Sequence, residues 1–229
     1  MGQKTSMKKH KAAPLLIATN NKGKIKELQD LLQDLEIELV TPAQINLELD
    51  VVENGHTYAE NAAKKAVAFA QASGLVSLAD DSGLEVDALD GAPGLYSARY
   101  GSPDGGKLSD GERRAFLIKN LANKARPWTA RFHATVAIAI PKGETHLAEG
   151  FCEGEIIPEE RGTGGFGYDP IFLLSELGKT MAELSMEEKN RLSHRARAVR
   201  NAKQTLDQLF KSTEASTSSR DANDPRLPR

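Results

Sequence analysis

Short apolar runs alternate along the chain with segments of helical periodicity. Residues 14–18, 37–40 and 75–79 are apolar runs of strand length, each bounded by polar or turn-forming residues. Leucines recur at helical spacing between residues 25 and 35, and an alanine-rich segment follows from residue 57 to about residue 72. Residues 85–89 alternate between polar and apolar, as an exposed strand does. This order predicts an α/β fold with a mixed sheet.

The second half of the chain predicts a hairpin and further helices. Residues 131–140 alternate and are rich in β-branched side chains, and a Pro-Lys-Gly turn predicts that they pair with residues 146–157. A short strand is predicted at residues 171–174. Capping boxes predict helix starts at Thr57, Ser109 and Ser185, each followed three residues later by Glu. A last helix is predicted from about residue 193 to residue 210.

The polar ends set the predicted domain limits. Residues 1–13 and 212–229 have too few apolar side chains to offset the entropy of ordering them, so we predict disordered extensions on both sides of one domain at residues 14–211. No apolar run approaches the ~20 residues that span a bilayer, so no membrane is expected as a partner.

Charge and cysteine content narrow the function classes. The 229 residues carry a formal net charge of −2, which argues against a nucleic-acid polymer as ligand. The single cysteine, Cys152, cannot form an internal disulfide. We predict that it lies in a strand or in the core, and we expect a cytoplasmic protein.

The segment TNNKGK joins the first predicted strand to the first predicted helix. Backbone N–H groups at a helix N-terminus favour anions, and glycine allows a ligand to approach the backbone closely. The segment therefore predicts a phosphate-binding loop, although it is not a Walker A motif. The alternative, an ordinary polar helix cap, is equally open. The residues concerned are Thr19, Asn20, Asn21, Lys22, Gly23 and Lys24.

The segment ADDSG follows the apolar run at residues 75–79, where we predict that a strand ends and where open α/β sheets bind ligands. Asp80 and Asp81 are adjacent and should point to opposite faces. A carboxylate here could bind Mg²⁺ or orient a water, and Glu53 could complete a magnesium site with Asp81. The alternatives are an Asp-Ser-Gly turn and, for Glu53, a solvated acid that stabilises a helix N-terminus.

Two later segments could bind a base or a phosphate. In RGTGGFGYDP, Phe166 and Tyr168 lie among four glycines, and an aromatic ring on such a loop suits stacking on a purine; a hairpin with core aromatics is the alternative. In EEKNRLSHRARAVR, Lys189, His194 and Arg195 could reach a phosphate or a base carbonyl, although a basic solvated helix face explains the same pattern. No partner His or Cys at metal spacing supports His194 as a metal ligand.

Taken together, these segments resemble the inosine triphosphate pyrophosphatase family, the HAM-type pyrophosphatases of non-standard purine nucleoside triphosphates. The resemblance spans roughly residues 14–210 and rests on segments that occur in the same order. It implies a long central mixed sheet with two α/β lobes around a deep cleft, Mg²⁺ dependence and a homodimer. It also implies hydrolysis of ITP, dITP and XTP to the monophosphate and pyrophosphate, which keeps these nucleotides out of DNA and RNA. The segments are TNNKGK, ADDSGLEVDAL with GAPGLYSARYG, ARFH, GTGGFGYDPIF and EEKNRLSHRARA.

The resemblance also implies roles for single residues. Thr19 to Lys24 would hold phosphates, and Asp81 would accept a proton from the attacking water. Glu53 and Asp81 would lie near the metal, and Ser82 would contact substrate. The family often has paired acids where this chain has Val52 and Glu53, so only Glu53 is available here. The remaining implied contacts are with the base for Phe166, Gly167, Tyr168 and Asp169, with phosphate or ribose for Lys189, and with the purine 6-keto group for His194 and Arg195.

Three other interpretations are distinguished by simple properties. A general or pyrimidine-directed nucleotide hydrolase would differ in base preference. A non-catalytic nucleotide sensor would be favoured if Asp81 and Glu53 were absent, but both are present. An RNA-binding module would require a basic surplus, which this chain lacks.

Overall fold

One mixed sheet runs through the part of the chain that the structure describes. The structure is a computed structural model that describes residues 14–103, 105–106 and 108–220, with side chains up to residue 210. The strand order is β2-β1-β3-β4-β5-β6-β7; β1 pairs in parallel with β2 and β3, and all later pairings are antiparallel. This confirms the predicted α/β class. The strands are β1 Leu15–Ile17, β2 Leu39–Val40, β3 Ser77–Val86, β4 Trp128–Ala139, β5 Thr145–Ile156, β6 Phe172–Leu174 and β7 Lys179–Thr180.

Helices cover both faces of this sheet. On one face, α1 and α5 pack on β1, β3 and β4 around Leu28, Leu78 and Leu206. On the other face, the alanine-rich α2 packs on the same strands around Ala66 and Phe69. A further apolar cluster joins α3 to the distal halves of β3, β4 and β5 and to β6. The helices are α1 Lys22–Leu32, α2 Tyr58–Ser73, α3 Asp110–Leu121, α4 Met186–Leu192 and α5 His194–Arg220.

Local sequence signals set most helix boundaries. The side chain of Thr57 caps α2, and Gly74 ends that helix in a left-handed conformation (φ 71°). The capping boxes predicted at Ser109 and Ser185 are both present, before α3 and α4. The predicted β4–β5 hairpin is also confirmed, with Trp128 opposite Ile156 and Ala139 opposite Thr145.

The sequence prediction was wrong at ADDSG, because no strand ends there. β3 continues for ten residues through Asp80, Asp81 and Ser82 to Val86. Its pairing with β1 reaches only as far as Leu78, whereas its pairing with β4 continues along its whole length. The polar side chains suggested that the backbone would turn away here. Antiparallel pairing with β4 instead satisfies the backbone N–H and C=O groups, so the strand continues. The candidate residues lie in the middle of a strand, beyond the carboxyl end of its parallel neighbour.

The last helix is longer than predicted. α5 continues to Arg220 instead of ending near Phe210, since no glycine or proline interrupts residues 211–220. Residues 212–220, the first part of the tail for which disorder was predicted, belong to this helix, whereas residues 1–13 and 221–229 lie outside the described residues. None of the described helices is long and apolar enough to cross a membrane.

Cys152 is buried on β5, as predicted. Burial raises the pKa of its thiol to about 11. A thiol in this environment stays protonated at neutral pH and acts as a small apolar packing group.

The contact between β5 and α5 provides a test of this fold. A Cβ atom added at Gly150 would lie 2.3 Å from the backbone of His194 and Ala198. Because backbone atoms cannot rotate away, we expect Gly150→Ala to lower the free energy of unfolding by about 1–3 kcal/mol. The matched control is Gly111→Ala in α3, where the nearest atom would be a flexible arginine nitrogen at 3.9 Å. Chemical denaturation of both variants measures the effect, and equal stability would contradict this account of helix packing.

Candidate functional site

The loop from β1 into α1 binds its own backbone N–H groups through side chains. Asn21 caps the helix, since its side-chain oxygen accepts hydrogen bonds from Gly23 N–H (2.9 Å) and Lys24 N–H (3.2 Å). The hydroxyl of Thr19 accepts from Asn21 N–H at 3.2 Å. Asn20 and Lys22 are exposed. The segment therefore forms the polar cap that the sequence allowed, and it leaves exposed donors beside β3.

On one face of β3, Asp80 lies fully buried in a cluster of cations. Its Oδ2 accepts from Arg195 Nε at 3.0 Å and is 2.9 Å from Arg195 Nη2. Its Oδ1 is 3.1 Å from Lys24 Nζ. Ser82, two residues along the same face, accepts from Arg195 Nη2 at 3.0 Å. Arg195 comes from the first turn of α5, so these contacts connect that helix to the middle of β3.

Arg195 also connects this group to α1. Its Nη1 forms a short ion pair with Glu27, whose other oxygen lies 2.6 Å from Lys189 Nζ. Lys189 in turn lies 2.7 Å from Asp169 Oδ2. Glu27, Lys189 and Arg195 are each at most 5% exposed. A continuous chain of buried opposite charges therefore runs from β3 through α5, α1 and α4 to the glycine-rich loop.

The other face of β3 carries Asp81, as predicted for adjacent strand residues. Lys65 of α2 lies beside it: its Nζ is 3.9 Å from Asp81 Oδ1 and 2.9 Å from Glu53 Oε1. The same Nζ donates to the backbone carbonyl of Asp80 at 2.8 Å. Glu53 and Asp81 thus converge on one cationic atom. Asp81 is 7% exposed, whereas the Glu53 side chain is 37% exposed and faces solvent.

Phe166 covers the two cations at the other end of the cluster. Its ring centroid is 5.5 Å from Lys189 Nζ and 5.7 Å from the Arg195 guanidinium carbon. The ring also lies against Gly23, where an added Cβ atom would be 2.7 Å from the ring edge. Phe166 N–H donates to Asp169 Oδ2 at 2.9 Å. The glycine-rich loop therefore meets the β1–α1 loop, as both motifs would require if they served one ligand.

Three other predicted residues lie outside the ion pairs of this cluster. Tyr168 lies in the core with its hydroxyl donating to the Ser97 carbonyl at 2.9 Å, and it is not part of the ionic cluster. Its ring packs among apolar side chains, as the core alternative predicted. His194 stacks on Phe132 with ring centroids 4.8 Å apart, and its buried Nδ1 has no hydrogen-bond partner among the described residues. Gly167 is held through its backbone by α3.

The two adjacent aspartates differ in their electrostatics. Burial raises the pKa of Asp80, but Arg195, Lys24 and Lys65 outweigh burial and hold that pKa well below its usual range. For Asp81, burial is again the largest influence, and here it prevails over Lys65 and Lys24, so the pKa of Asp81 is raised. Burial followed by the charge of Arg195 lowers the pKa of His194 well below 6.5, so its ring is neutral. Asp80 is therefore a fixed anion, and Asp81 is the more basic carboxylate.

Lys65 and Glu27 were not predicted as site residues from the sequence. Both lie on helix faces that otherwise bury apolar residues: Lys65 occupies the buried face of α2 with Ala62 and Phe69, and Glu27 lies beside Leu28 on α1. A charged residue on the apolar face of a helix was the sequence feature that could have indicated them. Such a charge is normally buried only when it has a partner. The partners are distant in sequence, so the pairing itself could not be inferred.

The fold and this cluster define a mixed-sheet α/β protein with a polyionic site beside the carboxyl end of β1. The described residues contain no group of three or more His, Cys, Asp or Glu side chains that could hold a metal ion. The model of the Ham1 family matches residues 15–205. The chain belongs to the Ham1 family.

Individual relatives agree with this assignment. The chain is 47% identical over 196 residues to a dITP/XTP pyrophosphatase from Desulforamulus reducens, covering 86% of this chain and 96% of that protein. It is 43% identical over 192 residues to a dITP/XTP pyrophosphatase from Bacillus subtilis, covering 84% and 96%. Among solved structures, a HAM1 protein from Coxiella burnetii matches with a TM-score of 0.76 and 38% identity, covering 86% of this chain and 99% of that one.

The buried charge of Arg195 provides a test of the site. Replacing it by methionine keeps an elongated side chain but leaves Asp80 and Glu27 without their main cation. We expect Arg195→Met to lower the free energy of unfolding by about 3–5 kcal/mol. The matched control is Arg131→Met, which removes an ion pair with Asp87. Both side chains of this pair are partly exposed, at 35% and 49%, so the free energy of unfolding should change by at most about 1 kcal/mol.

The pH dependence of stability in the same variants tests whether lost ion pairing causes the destabilisation. The pKa values of Asp80 and Glu27 are lowered in the folded protein, so their stabilising contribution is present above the unfolded values of about 4 and is lost as pH falls below them. In Arg195→Met, acid can protonate the unpaired carboxylates and relieve the penalty. The stability difference from wild type should therefore be largest near neutral pH and shrink toward about pH 4. A difference independent of pH would indicate lost packing instead.

Proposed function

We propose that this protein hydrolyses the non-standard purine nucleoside triphosphates dITP, ITP and XTP to the monophosphate and pyrophosphate. The relatives named dITP/XTP pyrophosphatase, 43–47% identical over most of the chain, support the substrate class. In the structure, the observation that carries the proposal is Asp81, a buried carboxylate of raised pKa beside Lys65 and Glu53. We expect hydrolysis to keep these nucleotides out of DNA and RNA.

Asp81 is suited to accept a proton from the attacking water. A raised pKa makes a carboxylate a stronger base. Asp80 is unsuited to this role, since Arg195 and Lys24 hold it as a paired anion. Asn20 and Lys22 supply exposed side-chain donors on the β1–α1 loop that would bind the phosphates, and Ser82 would contact substrate from β3. Lys65 is close enough to Asp81 to orient it and to stabilise negative charge on the phosphates.

The donor set fits Mg²⁺ as a cofactor. Glu53 and Asp81 supply oxygen ligands, and both already face one positive atom, Lys65 Nζ. The cations of the cluster are already paired with carboxylates. They would therefore not balance the negative charge that a bound triphosphate adds. Glu53 and Asp81 would hold Mg²⁺, which would supply Lewis-acid stabilisation of that charge.

Base recognition is proposed at the Phe166 end of the cluster. Lys189 and Arg195 lie under the Phe166 ring, and the buried Nδ1 of His194 is unpartnered among the described residues. Donors at this end would pair with the 6-keto oxygen of hypoxanthine or xanthine, whereas the 6-amino group of adenine would leave them unpaired. Asp169 holds Lys189 and the Phe166 backbone in place. We further propose a homodimer, as the resemblance implies, and a cytoplasmic location.

The substrate panel is the direct test of this function. We expect pyrophosphate release with Mg²⁺ from dITP, ITP and XTP at a kcat/KM roughly 100-fold or more above that for ATP, CTP and UTP. GTP shares the 6-keto group and tests whether the 2-amino group is rejected. Equal turnover across the panel would leave a hydrolase without the proposed base selectivity. Binding without any turnover would indicate a nucleotide sensor.

Asp81→Asn tests the proposed base. The amide keeps the shape of the carboxylate but cannot accept the proton, so we expect kcat for dITP to fall by about 10²–10⁴-fold while dITP still binds. The matched control is Asp34→Asn, which changes an exposed aspartate outside the cluster and should leave kcat unchanged. Turnover near the wild-type rate in Asp81→Asn would assign the base to another group.

A further inference from the structure

The first turn of α3 holds the backbone of the residue that follows Phe166. Gly167 N–H donates to Asp110 Oδ2 at 2.5 Å, and the Gly167 carbonyl accepts from Arg114 Nη1 at 2.8 Å. Both peptide hydrogen-bonding groups of Gly167 are thus bound by side chains one helical turn apart. Neither Asp110 nor Arg114 contacts the ionic cluster on β3, so this contact is separate from the proposed phosphate side.

Arg114 also binds the other end of the glycine-rich segment. Its Nε and Nη2 bond Glu160 Oε1 and Oε2 at 2.8 and 2.9 Å, a two-bond pairing that fixes the guanidinium plane. The Arg114 side chain is 14% exposed. One arginine therefore braces residues 160 and 167, the two ends of the segment that carries Phe166.

The segment between these ends is rich in glycine. Gly162, Gly165 and Gly167 have φ values of 81°, 71° and 64°, a region that other residues rarely adopt. Glycine also has the largest backbone entropy to lose on ordering. Contacts from outside the segment, Arg114 and Asp110 among them, therefore help to set the position of the Phe166 ring.

We propose that Asp110 and Arg114 are positioning residues that hold Phe166 at the base-binding end of the site. The inference rests on the proposed function for the identity of the ligand. Through Gly167, the two side chains set where the Phe166 ring lies relative to Lys189 and Arg195. Their loss weakens recognition of the base and leaves the groups around Asp81 in place.

Kinetics of Arg114 variants test this separation. In Arg114→Ala, we expect KM for dITP to rise about tenfold, the effect of losing a supporting hydrogen bond, while kcat changes by less than about twofold. Arg114→Lys should recover part of the loss, because an ammonium can bind Gly167 or Glu160 but lacks the planar fork needed for both. Arg131→Ala, which removes an Arg–Asp pair at another surface, is the matched control and should keep the wild-type KM.

A ligand without a base separates positioning from general destabilisation. Inhibition by pyrophosphate should be unchanged in Arg114→Ala, and backbone amide exchange over residues 162–168 should be faster than in wild type. A parallel loss of pyrophosphate inhibition would overturn the proposal, because the phosphate side would then be affected as well. Unchanged KM with unchanged amide exchange would also overturn it.

The same measurements distinguish failure of this inference from failure of the proposed function. If the wild-type protein does not hydrolyse dITP, the proposed function fails. Amide exchange and the calorimetric affinity for dITP in EDTA then decide the inference alone. Faster exchange with weaker dITP binding in Arg114→Ala supports it, and wild-type values for both overturn it.

Discussion

Arg195 carries a positive charge at a point that is only 1% exposed, and the rest of the site is arranged around that charge. A buried guanidinium is tolerated only when carboxylates and hydroxyls satisfy it, and here Asp80, Glu27 and Ser82 do so. These partners belong to β3 and α1, while Arg195 begins α5. Three elements that are distant in sequence are therefore fixed at one point, and the β1–α1 loop is held beside β3 as a consequence.

This arrangement explains how two adjacent aspartates acquire different roles. Asp80 faces α5 and forms ion pairs with Arg195 and Lys24. These pairs favour its ionised form, and its role is structural. Asp81 faces α2, where burial prevails over the more distant Lys65 and raises its pKa. Because side chains alternate along β3, the two adjacent aspartates face different surroundings. Asp80 is a structural anion and Asp81 is a candidate base.

The sequence predicted what short-range chemistry determines. The Ser109 and Ser185 caps, the Gly74 helix stop and the β4–β5 hairpin follow from residues within a few positions of each other, and all are present. The continuity of β3 was missed, because its polar middle resembles a turn unless the partner strand is known. Lys65 and Glu27 were missed for the related reason that a buried charge is recognisable only with its partner.

Tyr168 and Phe166 belong to the same motif but lie in different environments. Phe166 and Tyr168 occur in the same glycine-rich loop, yet the first ring covers Lys189 and Arg195 while the second enters the core. The sequence offered base stacking and core packing as alternatives for the whole segment, and the loop contains both. Tyr168 is bound to Ser97 and so fixes the loop on the side away from the cluster.

The two ends of the site are also held in different ways, and this bears on selectivity. Every nucleoside triphosphate presents the same phosphates, so the groups on β3, α1 and α2 cannot discriminate among bases. Under the proposed function, discrimination arises at the Phe166 end, where a loop rich in glycine would lose much conformational freedom on binding if it were unrestrained. Side chains from α3 and Asp169 restrain the loop before any ligand binds. The separation allows changes in the loop and its supports to alter base preference while the paired charges that maintain β3 remain intact.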